Sequence, residues 1–222
     1  MICISLRNVS KIFKENSNVI KVLDNINIDV EYGEFVSFIG PSGSGKSTLL
    51  NLIAGLDSPT EGEIFIGSQN ISNLSMEEQT VFRRRNVGIV YQNFNLMDIF
   101  DIRSNITFPL EVDGTEPDEE YITNICKILK IDRCLYAMPN QLSGGEQQRV
   151  AIARALSVKP EILLADEITG NLDTKSGLDV LALLKRMNEE FGQTVIMVTH
   201  NLEFAQIADR IIKIEDGKVA EI

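Results

Sequence analysis

The chain has 222 residues, 44% of them apolar and 24% charged, which suits one α/β domain with an ordinary core and excludes a disordered or low-complexity protein. Its 32 acidic against 21 basic residues leave a net charge of −11, which speaks against a nucleic-acid partner, because phosphate backbones are held by clustered Lys and Arg. Three cysteines, Cys3, Cys126 and Cys134, have no CxxC spacing and are expected to be free thiols in a reducing cytosol, and no stretch of about 18 apolar residues is available to span a bilayer.

Residues 2–9, 19–30 and 35–39 are predicted strands, with a polar turn at 15–18. Residues 47–56 read as a helix stopped by Asp57-Ser58-Pro59, and Gly62 marks the following loop. Short strands are expected at 63–66 and 87–91, and the basic run Arg83-Arg84-Arg85 before the second reads as a solvated helix end. From about 93 to 158 no convincing strand occurs. Residues 117–129 carry Ile122, Ile125, Ile128 and Leu129 at helical spacing, and 146–157 is a further helix. Strand 162–165, helix 176–190 and strand 194–198 then restore the βαβ alternation of a parallel sheet. The last segment, 211–222, is expected to be a hairpin turning at Asp216-Gly217. The chain is therefore read as one α/β core, 1–92 and 159–222, with a helical subdomain, 93–158, inserted into it.

Gly40-Pro41-Ser42-Gly43-Ser44-Gly45-Lys46-Ser47 follows an apolar strand and opens a helix, which is the setting of a phosphate-binding loop. Its glycines let successive N–H groups converge on phosphate oxygens, and the helix end adds its dipole. Lys46 would reach the β- and γ-phosphates, and the Ser47 hydroxyl would take one Mg²⁺ position. Asp166 and Glu167 end a buried strand. A lone carboxylate there is usually a loop start or a cap; beside a phosphate loop, Asp166 reads as the Mg²⁺ aspartate and Glu167 as the group that polarises the attacking water. Leu142-Ser143-Gly144-Gly145-Glu146 opens a helix as a second anion-sized turn, read as closing over ATP held by a partner copy. His200, the single histidine, is either structural or a γ-phosphate contact at a strand's carboxyl end. Gln92 is either a plain loop glutamine or an entry to the inserted subdomain, and Phe13 is either a core aromatic or a platform for a base.

Together these residues resemble the nucleotide-binding subunit of the ATP-binding cassette (ABC) transporters, and the resemblance covers essentially the whole chain. The family's motifs occur in its order: Phe13 as the adenine-stacking position, Gly40 to Thr48 as Walker A, Gln92 as the Q-loop, Leu142-Ser143-Gly144-Gly145-Glu146 as the signature, Asp166 and Glu167 closing Walker B, and His200 as the switch. Gly170-Asn171-Leu172-Asp173 looks like the D-loop. The resemblance implies an ATPase with a RecA-like P-loop core, an N-terminal antiparallel β subdomain and an inserted α-helical subdomain. It implies ATP held by Phe13, Gly40, Ser42, Gly43, Ser44, Gly45, Lys46, Ser47 and Thr48, with Ser143, Gly144, Gly145 and Asp173 completing the site. Mg²⁺ would be held by Ser47, Gln92 and Asp166, and catalysis carried by Glu167, His200, Lys46 and Gln92. It also implies an ATP-dependent head-to-tail homodimer on an integral-membrane permease, cytoplasmic and peripheral on the inner face of the membrane.

The run Ala165-Asp166-Glu167-Ile168-Thr169-Gly170-Asn171-Leu172-Asp173 is similar to that of lipoprotein-release, macrolide-export, cell-division and antimicrobial-peptide-resistance ATPases, with an amino-acid importer as the alternative. Two departures from the pattern are Ile168 in place of proline, expected to loosen the turn, and Glu146 in place of glutamine, expected to leave the Ser-Gly-Gly donors intact.

Overall fold

Two sheets organise the chain, and the computed structural model describes residues 1–15 and 18–222, so the centre of the expected turn, Asn16 and Ser17, lies outside the described residues. The first sheet is antiparallel, built from β1 (Ile2–Glu15), β2 (Asn18–Glu31), β4 (Glu61–Ile66) and β5 (Gln69–Asn70) in the order β2-β1-β4-β5. The second has the order β10-β9-β3-β8-β7-β6, from β3 (Phe35–Ile39), β6 (Val87–Val90), β7 (Ile162–Asp166), β8 (Thr194–Thr199), β9 (Arg210–Glu215) and β10 (Lys218–Glu221). All of its pairings are parallel except the edge strand β10 on β9, the expected hairpin. Its turn places Asp216 and Gly217 at φ 48° and 72°, the left-handed pair that matches strand twist. β1 runs six residues past the predicted end at residue 9. The reason is a bulge around Asn8, at φ 53°, which shifts the pairing between Leu6 and Val9 and breaks the alternation a sequence reading follows.

The period of two along the central strands sends neighbouring residues into two cores. Val36 and Phe38 of β3, Ile162 and Leu164 of β7, and Ile196 and Val198 of β8 pack with α1 (Lys46–Ile53) and the antiparallel sheet. Phe35, Leu163, Ala165, Val195 and Met197 face the other way, onto α3 (Ile102–Asp113), α4 (Glu119–Ile128), α5 (Gly144–Leu156) and α6 (Thr174–Phe191). Each buried Ile, Leu or Phe stabilises the fold by about 1.5–3 kcal/mol, so α3, α4 and α5 are bound to the sheet by apolar area.

Helix α2 (Met76–Asn86) and α3 are absent from the predicted elements. A capping box marks the start of α2, where Ser75 Oγ accepts from Glu78 N–H and Glu78 Oε2 accepts from Ser75 N–H. The run Arg83-Arg84-Arg85 does end this helix, with Arg85 exposed, and each of its members also has a bonding partner. Arg83 donates to the Gly55 carbonyl at 2.7 Å, and Arg84 and Arg85 both pair with Asp113 at the end of α3, at 3.1 and 3.0 Å. The three cysteines are free thiols. Among the described residues no helix is long and apolar enough to cross a membrane.

Candidate active site at the carboxyl edge of the parallel sheet

Because β3, β8, β7 and β6 are adjacent and parallel, the segments that follow them emerge along one edge. These are the loop of residues 40–47, His200, the pair Asp166 and Glu167, and Gln92. Four stretches far apart in sequence are thereby brought to one place.

The loop after β3 is shaped by close approach. A Cβ at Gly40 would lie 2.2 Å from the Ile214 carbonyl oxygen and 2.7 Å from Ser44 Oγ, so only glycine fits. Gly45, at φ 103°, begins α1 with no side-chain cap, and its first turn carries no acidic residue. The orphan N–H donors there, with the helix dipole, form an anion site. Ser44 is buried and its Oγ has no hydrogen-bond partner, a polar atom that a phosphate oxygen would satisfy. The Lys46 ammonium is buried and donates to the carbonyls of Gly40 and Pro41, at 2.9 and 2.8 Å, which holds it over the loop. Ser42, Gly43 and Ser47 are exposed and Thr48 is half-buried. Phe13 is 44% exposed on β1, with the Lys11 ammonium 5.1 Å from its ring centre. We expect Gly40→Ala to cost about 1–3 kcal/mol by overpacking, read as a melting temperature lowered by several degrees together with weakened nucleotide binding.

At the end of β7, burial pushes the Asp166 carboxyl up from its ordinary value; the neighbouring Glu167 charge adds to this and Lys46 partly offsets it. Glu167 holds a left-handed backbone, φ 47°, a conformation costing about 1–3 kcal/mol in a non-glycine residue. Two bonds fix it: Glu167 N–H donates to the Val198 carbonyl at 3.0 Å, and Gly170 N–H donates to the Glu167 carbonyl at 2.9 Å. His200 Nδ1 lies 3.0 Å from Glu167 Oε2, so the histidine orients the carboxylate and keeps its other ring edge exposed. A cavity of about 210 Å³ opens beside the pair, lined by Thr169, Gly170, Leu172 and Phe204. Ile168 is 1% exposed and packs within the core beneath this turn.

The amide of Gln92, expected at the Mg²⁺, is turned here toward the segment that follows β7. It donates to Asn171 Oδ1 at 3.3 Å and packs against Gly170, where a Cβ would meet Gln92 Nε2 at 2.6 Å. Asn171, within the stretch that looks like the D-loop, donates in turn to the Gln92 carbonyl at 3.1 Å and to Asn93 Oδ1 at 2.8 Å. Asp173 caps α6 with both oxygens, accepting from Ser176 N–H at 3.0 Å and Ser176 Oγ at 2.6 Å.

Ser143 caps α5, with Gly144 and Gly145 in its first turn. Of the donors expected to stay intact, those of Ser143 are engaged by Glu146. Its Oε2 accepts from both Ser143 N–H, at 2.9 Å, and Ser143 Oγ, at 2.6 Å. These bonds, the hydroxyl's first, hold the Glu146 carboxyl below its ordinary value. A glutamic acid three residues after a cap closes the box on itself.

Among the described residues no cluster of three or more His, Cys, Asp and Glu could hold a metal ion. Mg²⁺ keeps waters and takes one or two protein oxygens beside substrate phosphates. Ser47 and Asp166 fit this role as hard oxygen donors.

Residues 23–170 match the family described as ABC transporter. An ABC transporter ATP-binding protein of Methanocaldococcus jannaschii, MJ0796, itself named as uncharacterized, is 46% identical over 97% of this chain and 94% of its own length. The chain belongs to the ABC transporter family. It is an ATP-binding subunit and an ATPase, using ATP and Mg²⁺. The structure of the MJ0796 cassette, described as a dimeric post-hydrolysis state bound to ADP and Pi, has a TM-score of 0.87 and 44% identity, covering 99% of this chain and 97% of that one. The macrolide export ATP-binding/permease protein MacB of Rhodopirellula baltica is 42% identical over 98% of this chain and 32% of its own length. The methionine import ATP-binding protein MetN of Francisella tularensis is 39% identical over 99% of this chain and 63% of its own length.

Proposed function

We propose that two copies of this cassette close head to tail over two ATP molecules and drive a membrane permease that exports or dislodges a peptide antibiotic, lipid-linked or lipoprotein substrate. The observation that carries the dimer is the division of the site. One edge of the sheet holds the loop of Gly40 to Ser47, Asp166, Glu167 and His200, while Ser143, Gly144 and Gly145 lie at the start of a helix in the segment inserted between β6 and β7. In this reading residues 93–158 are a helical subdomain on a core of 1–92 and 159–222. Phe13 stacks on adenine, with Ser42, Gly43, Ser44, Gly45 and Thr48 around the phosphates. Ser143, Gly144, Gly145 and Asp173 are contributed across the interface.

Lys46 and the N–H groups of the loop bind the β- and γ-phosphates and stabilise charge that develops there. Glu167 orients water and accepts its proton, and His200 holds the Glu167 carboxylate from the side. Ser47 and Asp166 would hold Mg²⁺, which would supply charge neutralisation at the phosphates. Gln92 senses the phosphate through its loop. Phe94, Leu96 and Met97, which follow it, would carry its movement to the permease at the inner face of the membrane.

Glu146→Gln separates the two functions of the signature turn. The amide keeps a capping bond but loses the charge, so the melting temperature at neutral pH should fall by about 1–3 °C. With its folded pKa depressed, Glu146 contributes stability above the ordinary carboxylate range and loses it as pH falls through the folded value. The difference between variant and parent should therefore vanish in acid. ATP-driven pairing should tighten, because a phosphate no longer meets a carboxylate on the same donors; unchanged pairing would contradict this.

The similarity of the run from Ala165 to Asp173 to export and release ATPases favours this branch, and a cell-division type that signals without transport shares it. Purification of the tagged chain from membranes tests the reading. Recovery with a many-span permease, and loss of peptide-antibiotic tolerance in cells lacking the chain, are expected; recovery with an amino-acid importer permease would overturn it.

A further inference from the structure

The segment after β6 has almost no hydrogen bonding of its own. Among the described residues, backbone groups of 92–96 make no backbone–backbone hydrogen bond outside regular elements, and Asn95 sits at φ 51°. Its carbonyls are taken one after another by side chains from elsewhere. Gln148 Nε2 donates to the Tyr91 carbonyl at 3.3 Å and Asn171 to that of Gln92. Arg154 donates through one terminal nitrogen to Phe94, at 2.9 Å, and through the other to Asn95, at 2.6 Å. Asn105, fully buried on α3, brackets the far end, accepting from Met97 N–H at 2.8 Å and donating to the Met97 carbonyl at 3.0 Å.

Two of these clamps, Gln148 and Arg154, ride on α5, the helix that Ser143 begins. Burial pushes the Arg154 guanidinium down from its ordinary value, and its hydrogen bonds go to carbonyls rather than to a carboxylate. A half-buried cation bonded to two carbonyl dipoles makes charge-assisted bonds that hold those dipoles in place. From Ser143 to Arg154 the helix spans about 16 Å as one rigid element.

We propose that Arg154, supported by Gln148, is a positioning residue that locks the Gln92 loop to the signature helix, so that displacing the loop displaces Ser143, Gly144 and Gly145 with it. The inference rests on the assignment of Gln92 and Ser143 to the ATP site and names the side chains that join them. A bonded two-point clamp on one rigid helix is a physical connection between two distant parts of a site.

The test compares steady-state ATP hydrolysis and fluorescent-ATP binding for the parent, Arg154→Met, Gln92→Ala, the double variant and Ile152→Val. The last loosens α5 from its core side and leaves the clamp alone. Arg154→Met should lower kcat by about tenfold or more, the loss of two bonds to a charged donor, with nucleotide affinity unchanged. The double variant should be no worse than Gln92→Ala, because both act on the same step. Arg154→Lys, which keeps the stem and one donor, should recover part of the rate, and faster amide exchange confined to 92–97 should accompany the loss. Should Arg154→Met not fold, Arg154→Lys with the exchange measurement carries the test. Additive losses in the double variant, or an equal fall in kcat for Ile152→Val, would overturn the proposal. A Gln92→Ala variant at the parent rate would overturn the site assignment beneath it as well.

Discussion

Glu167→Gln is expected to lower ATP turnover by about 10²–10⁴-fold, the usual worth of a positioned general base, while ATP still binds. The carboxylate that the substitution alters is held on a strained backbone, fixed by the Val198 carbonyl and the Gly170 N–H, and its Oε2 meets His200 at 3.0 Å. Glutamine keeps the volume and one oxygen for His200 but cannot take a proton from water. The phosphate loop is untouched, so binding survives and the step that reopens the pair is removed. Gel filtration with ATP should show a stable dimer of this variant; only monomer would contradict the mechanism.

Ser143→Arg should abolish hydrolysis, by about 10²-fold or more if the turn contributes donors to the transition state, and leave ATP affinity of the separate chain at the parent value. The substitution removes the α5 cap, worth about 1 kcal/mol, so a drop of a few degrees in melting temperature is expected beside the catalytic loss. The large arginine would also cover the surface at Gly144 and Gly145, which a partner's nucleotide must approach. Because Lys46, Asp166 and Glu167 lie on other elements, nucleotide binding reports the fold and turnover reports the turn. Turnover at the parent rate would place the turn outside the site.

Residues whose roles depend on chain neighbours were legible from the sequence. The loop from Gly40 to Ser47 combines a strand, glycines and a helix start within a dozen positions, and Asp166 and Glu167 close another buried strand of the same sheet. Groups that act across the fold were not legible. Arg154 reaches Phe94 over 60 positions and Asn171 reaches Gln92 over 79, and nothing local names the partner of either. The bond of the Gln92 amide to Asn171 is likewise a contact that no local pattern announces. Helix α3 was hidden by Pro109 inside it, a residue that reads as a breaker, although the Asp101 cap and Gly114, at φ 68°, frame it. Glu146 carried its own signal, a capping box three residues after Ser143, that a family comparison alone passes over.

The central claim is that each site is shared by two copies, and mixing two inactive variants tests it most directly. A Ser143→Arg chain keeps its own Glu167 and lacks a working signature turn; a Glu167→Gln chain has the reverse. Neither alone should turn over ATP, but a heterodimer contains one site built from intact parts. Hydrolysis measured against mixing ratio should rise from near zero at both ends to a maximum near equal amounts. A mixture that stays as inactive as its two components at every ratio, with the two chains shown to associate, would contradict a site completed across the pair.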